Sequence, residues 1–226
     1  MATHLDLEEQ EQLDQLKSFW KQYGNLITWV LIAVLGAYAA WNGWNWWQRD
    51  QAVKAGAMYD ELDRAAQAGD ADKAGRVFAD MRERFPRTAF TAQGALLAAR
   101  TQFDKGQIDN ARATLAWVAE NAGEAEIQTV ARLRLAGALL DEKKYDEALK
   151  QLDAATAKEF EALVADRRGD ILLAQGKKDE ARAAYASAWK GMDARVEYRR
   201  LIDAKLTALG AAPEPASPAA SAAAGR

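Results

Sequence analysis

The chain has 226 residues, carries a formal net charge of −3 and contains no cysteine. This length accommodates one globular domain and an additional segment, and the acidic balance argues against a nucleic-acid-binding protein, whose surface is normally basic. The absence of cysteine excludes disulfides, thiolate metal sites and cysteine nucleophiles. The single histidine, His4, lies in a polar N-terminal segment, so neither a histidine base nor a multi-histidine metal site is expected. We therefore expect no cofactor and no bound metal.

An uncharged run from Gln22 to Gln48 follows an acidic N-terminal segment, residues 1–24. A helix from Leu26 to Trp47 would measure about 33 Å, close to the roughly 30 Å hydrocarbon core of a bilayer. Tryptophans cluster at its C-terminal end, where indole rings favour the headgroup level. These residues are Trp41, Trp44, Trp46 and Trp47. The pattern predicts one transmembrane helix over residues 25–47, with these tryptophans at the interface of the lipid bilayer.

Two alternatives to a retained transmembrane helix remain open. A buried core helix has a similar composition, although a core rarely contains so many tryptophans in one segment. A cleaved signal peptide is the second alternative, because residues 37–39 (Ala-Tyr-Ala) fit the small-x-small cleavage pattern. The acidic start argues against it, since signal peptides begin with basic residues. Basic residues flank the run on both sides, so charge does not decide its orientation.

Residues 48–209 are predicted to be helical throughout, and an Asp-x-Ala signature recurs in them at spacings of 37, 37 and 33 residues. The four aspartates of the signature are Asp72, Asp109, Asp146 and Asp179. Four residues after each alanine stands a large apolar residue: Phe78, Leu115, Leu152 and Tyr185. Twelve residues before the alanine stands a small residue in the last three copies: Ala99, Ala136 and Gly169.

This period indicates a repeating pair of antiparallel helices. The aspartate is expected to cap the second helix of each pair, and the small residues to let the two helices approach closely. Turns are predicted at Gly106 and Gly176. The pattern resembles the tetratricopeptide repeat, with an irregular helical bundle as the alternative. The predicted fold is all-α: a transmembrane helix followed by a tetratricopeptide-like α-solenoid. Residues 210–226, rich in alanine, proline and serine, are expected to be disordered.

Tetratricopeptide arrays line a concave groove with their first helices, so the repeat phase predicts which side chains face a partner. The candidate partner-binding residues are Leu96, Arg100, Phe103, Leu133, Leu140, Asp166 and Asp170. A largely apolar groove suits an extended hydrophobic segment or a partner helix. The alternative is that several of these leucines belong to the core between repeats. The carboxylates of Asp166 and Asp170 stand beside arginines, an arrangement typical of ion pairs, so no catalytic residue is predicted.

Two long stretches of the chain combine features of a known protein family. The first, from Glu8 to Leu62, has an acidic amphipathic start, an aromatic pair before Tyr-Gly, the apolar run and the tryptophan-rich exit. The second, from Phe160 to Trp189, reads FEALVADRRGDILLAQGKKDEARAAYASAW and is the more specific of the two. Together they resemble the YfgM family of bacterial inner-membrane proteins, and the resemblance covers nearly the whole chain apart from the C-terminal tail.

The resemblance implies a location and a set of partners that the charges alone do not give. It implies a single-pass protein of the bacterial inner membrane with a cytoplasmic N-terminus and a periplasmic repeat domain. It further implies association with the SecYEG translocon and with a PpiD-type periplasmic chaperone, and a role in passing emerging polypeptides to chaperones. The alternative function is an envelope regulatory or assembly scaffold that binds one dedicated partner through the same groove. An enzyme is not expected.

Overall fold

The computed structural model describes residues 7–212, and most of the tail that was predicted to be disordered lies outside this range. Within residues 7–212 the chain forms α-helices and one short 3₁₀ turn, Lys158–Phe160, and no strand. The helices are α1 Leu7–Gln67, α2 Ala71–Arg84, α3 Ala89–Asp104, α4 Ile108–Asn121, α5 Ala125–Asp141, α6 Tyr145–Asp153, α7 Glu161–Ala174, α8 Lys178–Gly191 and α9 Arg199–Ala208. The predicted all-α class is confirmed. The chain divides into two compact units between Val53 and Lys54.

The first unit is helical from Leu7 onward, without a break at either end of the predicted span. Its apolar side chains are not covered by protein: Leu26, Leu31 and Leu35 are 54–63% exposed. The helix is long and apolar enough to cross a membrane. Its polar side chains bond to their own helix, since Thr28 Oγ1 donates to Gly24 O (2.8 Å) and Asn42 Nδ2 to Tyr38 O (2.9 Å). Such bonds lower the cost of placing these groups in lipid.

The second unit stacks helix pairs in chain order. Residues 54–67 of α1 supply the first helix of the first pair, and Leu62 and Ala65 lie in the same core cluster as α2 side chains. The pairs α3/α4, α5/α6 and α7/α8 follow, each packed against the next. The four signature alanines are 0–1% exposed, and the large apolar residues four positions later are 5% exposed or less. The predicted repeat phase is therefore confirmed by burial.

One detail of the repeat prediction is wrong. The signature aspartates do not cap the second helices, because each stands at the second helical position. Asp70 caps α2 by accepting from the Lys73 N–H at 2.9 Å, whereas Gln107, Lys144 and Lys177 precede α4, α6 and α8 without a side-chain cap bond. The aspartates lie within the first turn instead, where a negative charge interacts favourably with the helix dipole.

The turns inside the pairs share one geometry that explains this shift. Each contains a residue in the left-handed region: Gly69, Gly106, Lys143 and Gly176, with φ between 60° and 80°. At Gly106 the N–H donates to Phe103 O, and the next N–H, of Gln107, donates to Gln102 O. The same two bonds recur in all four turns, which is the Schellman motif. The residue after the left-handed position thereby occupies the cap of the next helix.

The last helix, α9, packs against α8 and completes a second core cluster. Ile202 and Leu206 of α9 are 3% exposed or less, and they share this cluster with Tyr185 and Ala188 of α8. Helix α9 therefore covers apolar surface that the last pair would otherwise expose at the end of the array.

Candidate functional site

A cavity of about 430 Å³ opens between α3 and α5, the first helices of two successive pairs. Its apolar lining includes Phe103, Leu133 and Leu115. Phe103 is 41% exposed, whereas phenylalanine is usually buried. The volume lies within the range typical of protein ligand sites. The cavity is therefore a candidate site for an apolar side chain of a partner.

Helical periodicity explains why these side chains meet. Arg100 and Phe103 stand three apart on α3, and Leu133 and Gly137 stand four apart on α5, so each pair shares one face of its helix. Both faces border the cavity. The structure brings together Arg100, Phe103 and Leu133, three of the residues that the repeat phase assigned to the groove, and their role in partner binding stays a prediction.

The rim of the cavity is charged. Arg100, Arg134 and Arg167 line it from α3, α5 and α7, together with the carboxylates of Asp104 and Asp141. Arg134 Nη1 donates to Leu96 O at 3.4 Å. Partial burial of its guanidinium, and secondarily the like charge of Arg100, lower the pKa of Arg134 from its ordinary value. The sequence reasoning named Arg100 and missed the other two arginines, although Arg134 directly follows the predicted Leu133.

Leu96 and Leu140 occupy different surroundings from Phe103. Both are partly buried and pack against the main core cluster, and neither lines the cavity. Leu133 does both, because it packs against the same cluster and borders the cavity. The structure therefore favours the alternative interpretation for Leu96 and Leu140, in which they belong to the core between repeats.

Asp166 and Asp170 do not line the cavity and instead form an ion-pair network with α9. Asp166 is 2% exposed, and Lys205 Nζ contacts its two oxygens at 2.8 and 2.9 Å. The same ammonium donates to Asp170 Oδ1 at 2.7 Å, while the hydroxyls of Tyr198 and Tyr185 donate to Asp166 and Asp170. Burial, followed by the hydrogen bond to Asp170, raises the pKa of Tyr185. These two carboxylates hold α9 in place. This structural role accounts for their burial, and no partner protein is needed to explain it.

The predicted membrane-interface tryptophans lie on the N-terminal unit and are 46–71% exposed. The rings of Trp44 and Trp47 are in contact, with centroids 5.2 Å apart. Exposed indoles on an apolar helix are suited to the boundary between hydrocarbon and headgroups. Within residues 7–212, no group of three or more histidine, cysteine or carboxylate side chains is arranged to hold a metal ion.

Comparison with known proteins gives consistent matches over both units. A family model described as a tetratricopeptide repeat-like domain matches residues 17–211. The chain is 33% identical over 212 residues to the ancillary SecYEG translocon subunit of Neisseria gonorrhoeae, covering 92% of this chain and 100% of that protein. It is 30% identical to the protein of the same name from Escherichia coli, over 80% of this chain and 87% of the relative. The Haemophilus influenzae protein of that name is 26% identical over 80% of this chain.

Proposed function

This chain belongs to the YfgM family of tetratricopeptide repeat-like ancillary SecYEG translocon subunits, and from that premise we propose that it is a membrane-anchored adaptor of the translocon. The apolar helix of the N-terminal unit anchors it in the inner membrane. The repeat unit binds polypeptide segments as they emerge from the translocon and passes them to periplasmic chaperones of the PpiD type. The protein acts by binding and not by catalysis.

The observation that carries this proposal is the cavity between α3 and α5. It places an exposed aromatic ring, Phe103, beside Leu133 in a concavity large enough for one or two apolar side chains. An emerging polypeptide exposes such side chains before it folds. Binding them in a shallow cavity would be weak and reversible, which is what a transfer step requires.

The proposed function also sets the orientation of the chain in the membrane: the N-terminus is cytoplasmic and the repeat unit is periplasmic. In that arrangement the predicted interface tryptophans, Trp41 to Trp47, lie at the outer leaflet. The cavity then lies on the side of the membrane where the polypeptide emerges.

Site-specific photocrosslinking in cells tests the proposal. A photoreactive residue at Leu35 in the apolar helix is expected to crosslink to SecYEG, and one at Phe103 to a translocating chain arrested in the channel. Ala113 is a matched control, since it is exposed on α4 and borders a different surface. Crosslinking of the arrested chain at Ala113 as strongly as at Phe103 would refute the role of the cavity.

The same experiment distinguishes an adaptor that binds many polypeptides from a scaffold that binds one dedicated partner. For an adaptor, the adducts at Phe103 change with the identity of the arrested chain. For a scaffold, Phe103 gives one adduct of constant mass whether or not a chain is being translocated.

A further inference from the structure

The arginines around the cavity come from three successive first helices: Arg100 from α3, Arg134 from α5 and Arg167 from α7. Among the described residues, two carboxylates line the same cavity, Asp104 and Asp141. The lining arginines therefore outnumber the lining carboxylates by one, although the chain as a whole has a net charge of −3. A local field of this sign favours acidic ligands over basic ones.

Among the residues that the structure describes, the ionic partners of the cavity arginines are distant. Arg100 Nε lies 3.8 Å from Asp104 Oδ2, and Arg167 Nη1 lies 3.5 Å from Asp170 Oδ2. Elsewhere on the repeat unit, Arg112 and Arg168 approach carboxylates to 2.7 and 2.6 Å. Charge-assisted hydrogen bonds are normally 2.7–2.9 Å long. The cavity arginines are thus positioned to form closer bonds with an incoming carboxylate.

The surroundings of Arg167 and Arg134 place both guanidinium groups at the cavity. The guanidinium of Arg167 lies against Gly137, since a Cβ added to that glycine would be 3.8 Å from Arg167 Cζ. Arg134 makes one long hydrogen bond, 3.4 Å from Nη1 to Leu96 O. Partial burial of its guanidinium, and secondarily repulsion by the like charge of Arg100, lower the pKa of Arg134. A bound anion would relieve this repulsion.

We propose that the cavity selects acidic segments: it binds a polypeptide stretch in which an apolar side chain, seated between Phe103 and Leu133, is followed by a carboxylate held by the arginines. This rests on the proposed function, in which the cavity binds polypeptide, and specifies the charge of what it binds. The apolar lining between two helices favours a peptide side chain over the flat surface of a membrane.

Peptide binding to the full chain in discs of zwitterionic lipid tests the proposal, with empty discs as the blank. The probes are labelled peptides that alternate leucine with glutamate, glutamine or lysine, and the readout is fluorescence anisotropy. The glutamate peptide is expected to bind about tenfold more tightly than the glutamine peptide, as charged hydrogen bonds would give. The lysine peptide should bind most weakly, and the preference should shrink in about 0.5 M salt.

Variants assign the preference to the cavity. The triple variant R100Q/R134Q/R167Q should bind the glutamate and glutamine peptides equally. The matched control R64Q/R87Q/R200Q changes the net charge by the same amount at exposed arginines outside the cavity and should retain the preference. If the triple variant has a lowered melting temperature, the single variant R100Q replaces it, because the Arg100 side chain is 75% exposed. In R100Q the preference for the glutamate peptide over the glutamine peptide is expected to fall about threefold.

Two outcomes would overturn the proposal in different ways. Equal affinity of the parent protein for the glutamate and glutamine peptides, with both abolished by Phe103→Ala, would remove the charge selection and leave polypeptide binding at the cavity intact. Failure of all three peptides to bind, or a preference retained in the cavity triple variant, would show that the arginines do not recognise acidic segments.

Discussion

At the scale of single residues, Gly169 shows how closely α7 and α8 approach. A Cβ added there would lie 2.5 Å from Cδ1 and Cε1 of Tyr185, a distance that real Cβ contacts do not show. The ring has little freedom to retreat, because Tyr185 is 1% exposed and its hydroxyl donates to Asp170 at 2.8 Å. Only glycine fits at this contact.

Gly169→Ala is therefore expected to lower the free energy of unfolding by about 1–3 kcal/mol through overpacking. Gly137→Ala is the matched control within another first helix. Its added Cβ would meet Arg167 at an ordinary 3.8 Å, so helix propensity should stabilise the variant by up to about 1 kcal/mol. Denaturation followed by circular dichroism measures both, and a shift of the same sign in the two variants would refute this packing.

The ion pair between Asp166 and Lys205 gives a second prediction at this scale. Lys205→Met leaves the Asp166 carboxylate buried without its cation, which is expected to cost about 3 kcal/mol. Arg195→Met removes an arginine from a pair on the surface, where Arg195 is 90% exposed, and should leave the melting temperature unchanged. Equal melting temperatures for the two variants would show that the network does not hold α9.

At the scale of elements, the turns inside the helix pairs are the repeated feature. Three of them place glycine in the left-handed region and one places Lys143 there, at φ 60°. A side chain in this conformation is strained by about 1 kcal/mol or more. The hydrogen bonds of the turn, from Lys143 N to Leu140 O and from Lys144 N to Leu139 O, impose the conformation.

Lys143→Gly is accordingly expected to raise the free energy of unfolding by about 0.5–1 kcal/mol, less than the full strain because glycine also makes the unfolded chain more flexible. Gly106→Ala, at the equivalent turn of the preceding pair, should lower it. Thermal melting compares the stability of the two variants with that of the parent. A Lys143→Gly protein less stable than the parent would contradict the strain assigned to this turn.

The sequence allowed the helix pairs and their contact positions to be predicted, because the signature alanines recur wherever two helices must approach closely. It did not reveal the role of Asp166, since the partner Lys205 lies 39 residues away on a helix outside the repeat pattern. It also misassigned the signature aspartates as caps. A glycine marks the turn in three of the four pairs, but it does not show where the next helix begins; the Schellman hydrogen bonds place the cap two residues before each signature aspartate.

At the scale of the whole molecule, the proposed function requires an apolar anchor in the membrane and a repeat unit that binds polypeptide. The proposed orientation places the repeat unit in the periplasm. A reporter that is active only in the periplasm, fused after Arg226, should therefore be active, and the matching cytoplasmic reporter should be silent. The opposite pattern would refute the orientation, and a purified protein beginning near Ala40 would show that the apolar helix is cleaved off.

Polypeptide binding by the cavity is tested by the affinity of the full chain, in lipid discs, for a labelled unfolded polypeptide. Phe103→Glu replaces the exposed aromatic ring of the cavity and is expected to weaken binding by about tenfold or more, because docking an apolar side chain would then desolvate a charge. Ala113→Glu adds the same charge on α4 and should bind like the parent, with both variants keeping the parent's helicity and melting temperature. A folded Phe103→Glu protein that binds the unfolded polypeptide as tightly as the parent would rule out the cavity as the polypeptide-binding site.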